Sequence, residues 1–285
     1  MISWAMYDFT PGLTPAEAPV WQAGLDQASN EQLLMFTAAG EVFLDSEGRV
    51  PAVHQMLPML EQTGLDESKD GWLRLGSIGD QSYLLDLSWH SYESLTGFVA
   101  LRSLNFGALD PQFLMLGRAF HVLQWHHESL FSGISGLPMQ WCVDELAKIG
   151  PEGNRIYPVI SPAVIVAVED NDRILLAKAP GRSFYSLIAG FVEPGETVEQ
   201  AVIREVREET GLEICNLQYL GSQPWPFPHS LMLGYRAQMA GGVLKPDPTE
   251  IESIRWFSLA DLPEVPRGLS IASDIIRHVM SGFKE

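Results

Sequence analysis

The chain is poor in cysteine, in positive charge and in long apolar runs, and each shortage excludes something. Cys142 and Cys215 are the only cysteines in 285 residues. Two thiols cannot build a disulfide framework, which points to a reducing compartment. Lys and Arg number 18 against 36 Asp and Glu, a net charge of −18. That balance argues against holding a nucleic-acid backbone by bulk electrostatics and suits a site that recruits divalent cations. The longest apolar run, AVIVAV from Ala163 to Val168, is too short to span a bilayer. The opening MISWAMYDFT has no basic segment followed by an apolar stretch, so it does not read as a secretory signal. The expectation is a cytoplasmic protein with no membrane partner.

What is present is an ordinary globular composition, 46% hydrophobic and 19% charged, without repeats or low-complexity tracts. Residues 1–130 show short alternating segments (EVFLD, GWLRLG, SYLLDLSW) and predict an antiparallel, strand-rich domain. Its last part, from Asp110, predicts a helix with Asp110 as N-cap and Pro111 in the first turn. Residues 131–158 are rich in Gly and turn formers and read as a connector. Residues 159–285 interleave strands (AVIVAVE, RILLAKA, SLIAGFVE, LQYLGSQ, LMLGYRAQM, SIRWFSL) with a helix from Thr197 and a last helix over Ile271–Met280. The fold class expected is α+β, with the last part an α/β-type domain.

The most informative stretch is GFVEPGETVEQAVIREVREETGL, Gly190 to Leu212. At about 100° per residue, Val198, Val202, Ile203 and Val206 form a packing face. Glu205 and Glu209 lie one turn apart, with Glu208 in the same arc. Carboxylates on one stripe repel, and a divalent cation with a preference for hard oxygen ligands, Mg²⁺ or Mn²⁺, relieves that cost. A solvated helix laced by pairs such as Arg204–Glu208 would use the same residue types. The spacing separates the two readings: Gly190, Glu196, Arg204-Glu205-Val206, Glu208-Glu209 and Gly211-Leu212 fill every defined position of the Nudix box.

This half therefore resembles the Nudix hydrolases, metal-dependent enzymes that cleave a nucleoside diphosphate linked to another group, and the resemblance implies an α/β/α sandwich. The resemblance implies that Glu205, Glu208 and Glu209 bind metal and help activate water, and that Arg204 orients a carboxylate. It also brings the Ala189 carbonyl to the metal. Which glutamate is the base is left open.

Downstream comes SQPWPFPHS, Ser222 to Ser230, three prolines around a Trp and a Phe. Prolines fix φ and remove donors, so the segment is too stiff for a flexible loop and too donor-poor for a central strand. With the box upstream it is similar to the signature of the NADH pyrophosphatase branch. That implies a nicotinamide sandwiched between Trp225 of one chain and Phe191 of the other in a homodimer, with Gln223, Phe227 and Ser230 also substrate-facing. The same branch implies a further metal-binding carboxylate at Glu250, a pocket-lining Ala272, a substrate-contacting Tyr157, and a phosphate contact at Arg102.

Members of that branch often carry a four-cysteine zinc ribbon between their halves. Here Ser132, Ser135, Ile149 and Glu152 occupy the positions, and Cys142 with His126 and His127 does not supply a Cys-rich tetrahedral set. The expectation is no structural zinc and a degenerate ribbon held by packing alone. The resemblance implies hydrolysis of NADH to NMNH and AMP, extending to NAD⁺. Removal of an NAD cap from the 5′ end of RNA is the alternative. A catalytically silent nucleotide-binding module would carry a damaged box, and this box is intact.

Overall fold

The computed structural model describes residues 9–10, 30–63, 71–89, 96–104, 110–142, 145–266 and 270–282. The chain divides into two compact units, one from Met6–Leu104 with Asp110–Val159 and one over Ile160–Glu285, each within its described residues. Among those residues no helix is long and apolar enough to cross a membrane.

In the first unit, strands β1 (Phe9–Thr10), β2 (Gln32–Leu34), β3 (Glu41–Phe43), β4 (Trp72–Ile78), β5 (Gln81–Asp86) and β6 (Phe98–Ala100) make two sheets, with helix α1 (Val53–Thr63) between β3 and β4. The larger sheet runs β1-β4-β5-β2, and β3 pairs with β6. The unit is strand-rich as expected, but the expectation of antiparallel pairing is corrected at β2, which pairs with β5 in parallel, and helix α1 was not read from the sequence. Val53, Met56 and Leu60 recur at helical spacing and pack with Leu33, Phe43, Trp72 and Leu84. Pro58 inside the helix masks the pattern, because an internal proline usually marks a helix end. Helix α2 (Pro111–Glu128) starts as expected, with the Asp110 side chain accepting from the Gln112 amide at 2.8 Å.

The connector forms three short antiparallel strands, β7 (Gln140–Trp141), β8 (Lys148–Ile149) and β9 (Arg155–Ile156). Packing alone does not hold it, contrary to expectation. Ser135 first and then Ser132, whose hydroxyl donates to Oε2 at 3.1 Å, hydrogen-bond the Glu152 carboxylate and keep it below the usual range. Lys148, 1% exposed, sends its ammonium to the carbonyls of His126 (2.7 Å) and Ser129 (3.1 Å) at the end of α2. The same ammonium lies over the rings of Trp125 and Trp141, at 5.4 and 5.3 Å from their centroids. Helix-end carbonyls lack intrahelical partners and attract a cation, so a buried lysine here is compensated on every side.

In the second unit, β10 (Ser161–Asp170), β11 (Arg173–Lys178), β12 (Ile188–Phe191), β13 (Leu212–Trp225), β14 (Ser230–Gly242) and β15 (Ser253–Phe257) form one sheet, with helix α3 (Val198–Thr210) before β13 and α4 (Ile271–Met280) at the end. The order is β13-β14-β10-β11-β15, with β12 also on β10; β10 and β14 are parallel and the other pairs antiparallel. Strand β10 explains the apolar run. Val164, Val166 and Val168 face α3 through Val202 and Val206, while Ile165 and Ala167 face α4 through Ile271, Ile275 and Val279. A strand buried on both faces has no polar alternation to show.

Candidate active site

Three elements converge on α3. The helix begins at Thr197, whose hydroxyl accepts from the Gln200 amide while Gln200 reaches back, and it ends at Gly211 with φ 73°. That ending suits glycine, which takes the left-handed conformation without a Cβ penalty. Between these caps Arg204 works as a hub. Its Nε and Nη2 hold Glu196 from two sides at 2.8 and 2.9 Å. Its Nη1 donates to Glu205 at 2.9 Å and Glu208 at 3.0 Å, and Nη2 also reaches the Phe191 carbonyl at 2.9 Å. One guanidinium thus binds the box loop, the helix and the end of β12. The forked geometry of Arg makes that possible where a lysine would not. Arg204 is held charged far above its ordinary range by Glu196 first.

Gly190 lies directly against the helix. A Cβ at that position would meet Cδ and Oε1 of Glu205 at 2.0 Å, so only glycine admits the carboxylate there. Gly190 pairs with Val164 on the α3 face of the sheet, and Ala189 pairs with Ile165 one step away.

The electrostatics are unbalanced. Glu209 is buried, and desolvation pushes its carboxyl up to about 8, with Glu205, Glu250, Asp247 and Glu208 adding repulsion. Glu205 is also raised, by burial first, against the pull of Arg204. Six carboxylates, those of Glu196, Glu205, Glu208, Glu209, Asp247 and Glu250, lie in the neighbourhood of the Arg204 guanidinium. Among the described residues, no three His, Cys, Asp or Glu side chains are grouped so as to hold a metal ion as they stand, and Glu208 turns back to Arg204. Carboxylate oxygens are nonetheless the donor type a hard divalent ion prefers.

The prolines of SQPWPFPHS find their place in the sheet topology. Ser222–Trp225 finish β13, an edge strand where missing amide donors cost nothing, and Pro226–His229 make the turn into β14. Trp225 and Phe227 are half-buried and meet edge to face at 5.2 Å. Phe191 is 54% exposed, a large price in water for a free aromatic ring. Ser230 is buried and pairs with Ser161 of β10. Gln223 is fully buried, and its Oε1 accepts the Ile271 amide at 2.7 Å, on the first turn of α4. Ala272 is enclosed in the same core. Tyr157 belongs to the other unit, where its hydroxyl donates to Glu145 at 3.0 Å. Arg102 lies there too, in a 3₁₀ turn over Leu101–Ser103.

Sequence reasoning did not single out Glu196 as the main partner of Arg204, nor Asp247 beside Glu209. Glu196 is a defined position of the box, so its spacing was the signal. Asp247 had none beyond its prolines.

Residues 159–279 match the family model of the NUDIX domain. A protein of Pseudomonas aeruginosa (strain LESB58) described as NAD-capped RNA hydrolase NudC is 38% identical over 264 residues, covering 90% of this chain and 92% of that one. One of the same description from Pseudomonas putida (strain W619) is 44% identical over 201 residues, 70% of this chain and 73% of the other. Among solved structures, a NUDIX hydrolase from Nitrosomonas europaea is 22% identical with a TM-score of 0.46, covering 53% of this chain and 90% of its own.

Proposed function

Because the chain belongs to the Nudix hydrolases, in the NudC branch, and is therefore a pyrophosphohydrolase acting on acid anhydrides, we propose that its substrate is NADH, cleaved by water at the pyrophosphate into NMNH and AMP. NAD⁺ is a second dinucleotide of the same chemistry. The observation that carries this reading is the Arg204 hub, which aligns Glu196, Glu205 and Glu208 beside the Gly190 recess.

Glu205, Glu208, Glu209, Glu250 and the Ala189 carbonyl would hold Mg²⁺ or Mn²⁺. Such an ion, when bound, neutralises pyrophosphate charge and lowers the pKa of an attacking water. The chain's own contribution is positional. Arg204 fixes the carboxylates it touches, so fewer rotamers must be ordered when substrate arrives. Phe191 and Trp225, from two subunits of a homodimer, would stack on the nicotinamide, an interaction of about 0.5–1.5 kcal/mol beyond area burial. The proline-flanked turn holds Trp225 in advance, which lowers the entropy lost on binding. Gln223, Phe227, Ser230 and Ala272 would shape the pocket, with Gln223 and Ala272 acting from behind through α4. For Tyr157 and Arg102 a substrate role rests on the resemblance alone. A reducing cytoplasmic setting belongs to the same proposal.

Removal of an NAD cap from RNA is the second reading, favoured by the printed description of the relatives. A cap site needs only the first nucleotides, which is compatible with a net charge of −18. Product analysis with Mg²⁺ or Mn²⁺ across NADH, NAD⁺, ADP-ribose and NAD-capped RNA ranks the substrates. A salt titration separates the two leading ones, because phosphate contacts to RNA weaken steeply with salt and NADH cleavage does not. Glu209→Gln should lower turnover on the order of 10²–10³-fold with the fold retained, the scale of losing one electrostatic partner. Unchanged turnover would remove the metal-site assignment.

A further inference from the structure

We propose that Asp247 is a positioning residue for Glu250: it closes the turn that carries this glutamate and ties that turn to the end of the carboxylate helix. The inference rests on the metal-site reading above and names a residue that reading does not use.

The segment after β14 runs along the C-terminal end of α3. The Lys245 amide donates to the Thr210 carbonyl at 2.8 Å and the Asp247 amide to the Glu209 carbonyl at 3.0 Å. The last carbonyls of a helix have no partner within it, so these two bonds dock the segment where acceptors are waiting. The approach is close. A Cβ on Gly211 would meet the Val243 carbonyl oxygen at 2.8 Å.

From this anchor Asp247 winds the next residues into a turn. Its Oδ1 accepts from the Thr249 amide at 2.8 Å and the Thr249 hydroxyl at 2.7 Å. Its carbonyl accepts from Ile251 at 2.9 Å and Glu250 at 3.3 Å. Pro246 and Pro248 restrict the backbone on either side of it. The far end is pinned by Ile251, buried in the core with Val202 and Val206 of α3. Glu250 is thus held between two fixed points, Asp247 hydrogen-bonded to Glu209's own carbonyl and Ile251 packed under the same helix. The charge of Glu250 falls on both Glu205 and Glu209.

The side-chain bonds need an oxygen acceptor at position 247 and not a charge. Asn offers the same acceptor to the turn, and Ala offers none. Mn²⁺ binding by the full-length protein, measured by calorimetry without substrate, separates the cases. Asp247→Ala should weaken Mn²⁺ binding about tenfold, as loss of a supporting contact behind a ligand does. Asp247→Asn should stay within about twofold of the unsubstituted protein, because the acceptor survives. Circular dichroism should be unchanged in both. Wild-type Mn²⁺ affinity in Asp247→Ala, or an equal loss in Asp247→Asn, overturns the inference. Glu209→Gln is the control: if it binds Mn²⁺ normally, the metal-site reading has failed rather than the role of Asp247.

Discussion

Phe191 and Trp225 project from the same face and the same end of one sheet, three strands apart. Phe191 pairs with Ala163, Trp225 with Ser230, and Ser230 with Ser161, two residues from Ala163 on the same face of β10. Strands lie about 4.8 Å apart, which separates the two backbones by about 14 Å. A flat ring clasped on both sides needs its two partners about 7 Å apart. That spacing is compatible with the proposal that the two rings come from different subunits.

Complementation tests that clamp. Phe191→Ala and Trp225→Ala should each raise KM for NADH more than for a dinucleotide lacking a flat base on that side. Mixing the two variants after subunit exchange should restore about a quarter of the sites, since half the dimers are mixed and each has one complete site. No recovery on mixing would mean that both rings act within one subunit.

Gln223 lies behind the Trp-bearing segment, and its effect should be structural. Gln223→Ala leaves the buried Ile271 amide without its acceptor, a loss of about 1–3 kcal/mol. Thermal unfolding should show it as a lower Tm, and KM should rise alongside, because β13 and α4 are no longer joined at that point. An unshifted Tm would show that the 2.7 Å bond is dispensable.

Lys148 takes a comparable place in the connector. Lys148→Met keeps the stem's volume but leaves the His126 and Ser129 carbonyls short of a donor, and should cost about 3 kcal/mol. Elemental analysis of the unsubstituted protein should find no stoichiometric zinc, and a chelator should leave the Tm of this unit in place. Stoichiometric zinc after metal-free dialysis would refute the metal-free connector.

His126 makes the same region sensitive to acid. The ring is 5% exposed, stacks on Trp141 at 5.3 Å, and has no hydrogen-bond partner at either nitrogen among the described residues. Burial first, then Lys148 and His127, lower its pKa to about 3 from 6.5. Between those values the unfolded chain binds a proton that the folded chain refuses. Stability is therefore full above pH 6.5 and declines as the pH falls, by at most about 1.4 kcal/mol per unit from this group. His126→Phe, which keeps the stacked ring, should flatten the dependence of Tm on pH below 6.5. A parallel decline in the variant would assign the acid sensitivity elsewhere.

Much of this was legible in the chain. The box segment predicted α3 from Thr197 and put Glu205, Glu208 and Glu209 on one arc of it, because a helix repeats every few residues and local spacing decides which side chains share a face. The strands of the second unit were legible for the same reason. Helix α1 was not, since Pro58 breaks the local signal while tertiary packing of Val53, Met56 and Leu60 supplies the stabilisation.

By itself, then, the sequence determined the chemistry: a row of carboxylates beside an arginine, a glycine where a side chain would intrude, and a rigid aromatic segment downstream. Tertiary structure alone decided the pairings between distant positions. It set Glu152 against Ser132, Lys148 under α2, Gln223 against Ile271, and Asp247 at the end of α3. Each joins residues from separate elements, so no periodicity in the chain announces it. The strand order alone sets the backbones of Phe191 and Trp225 three strands apart on one face of the sheet.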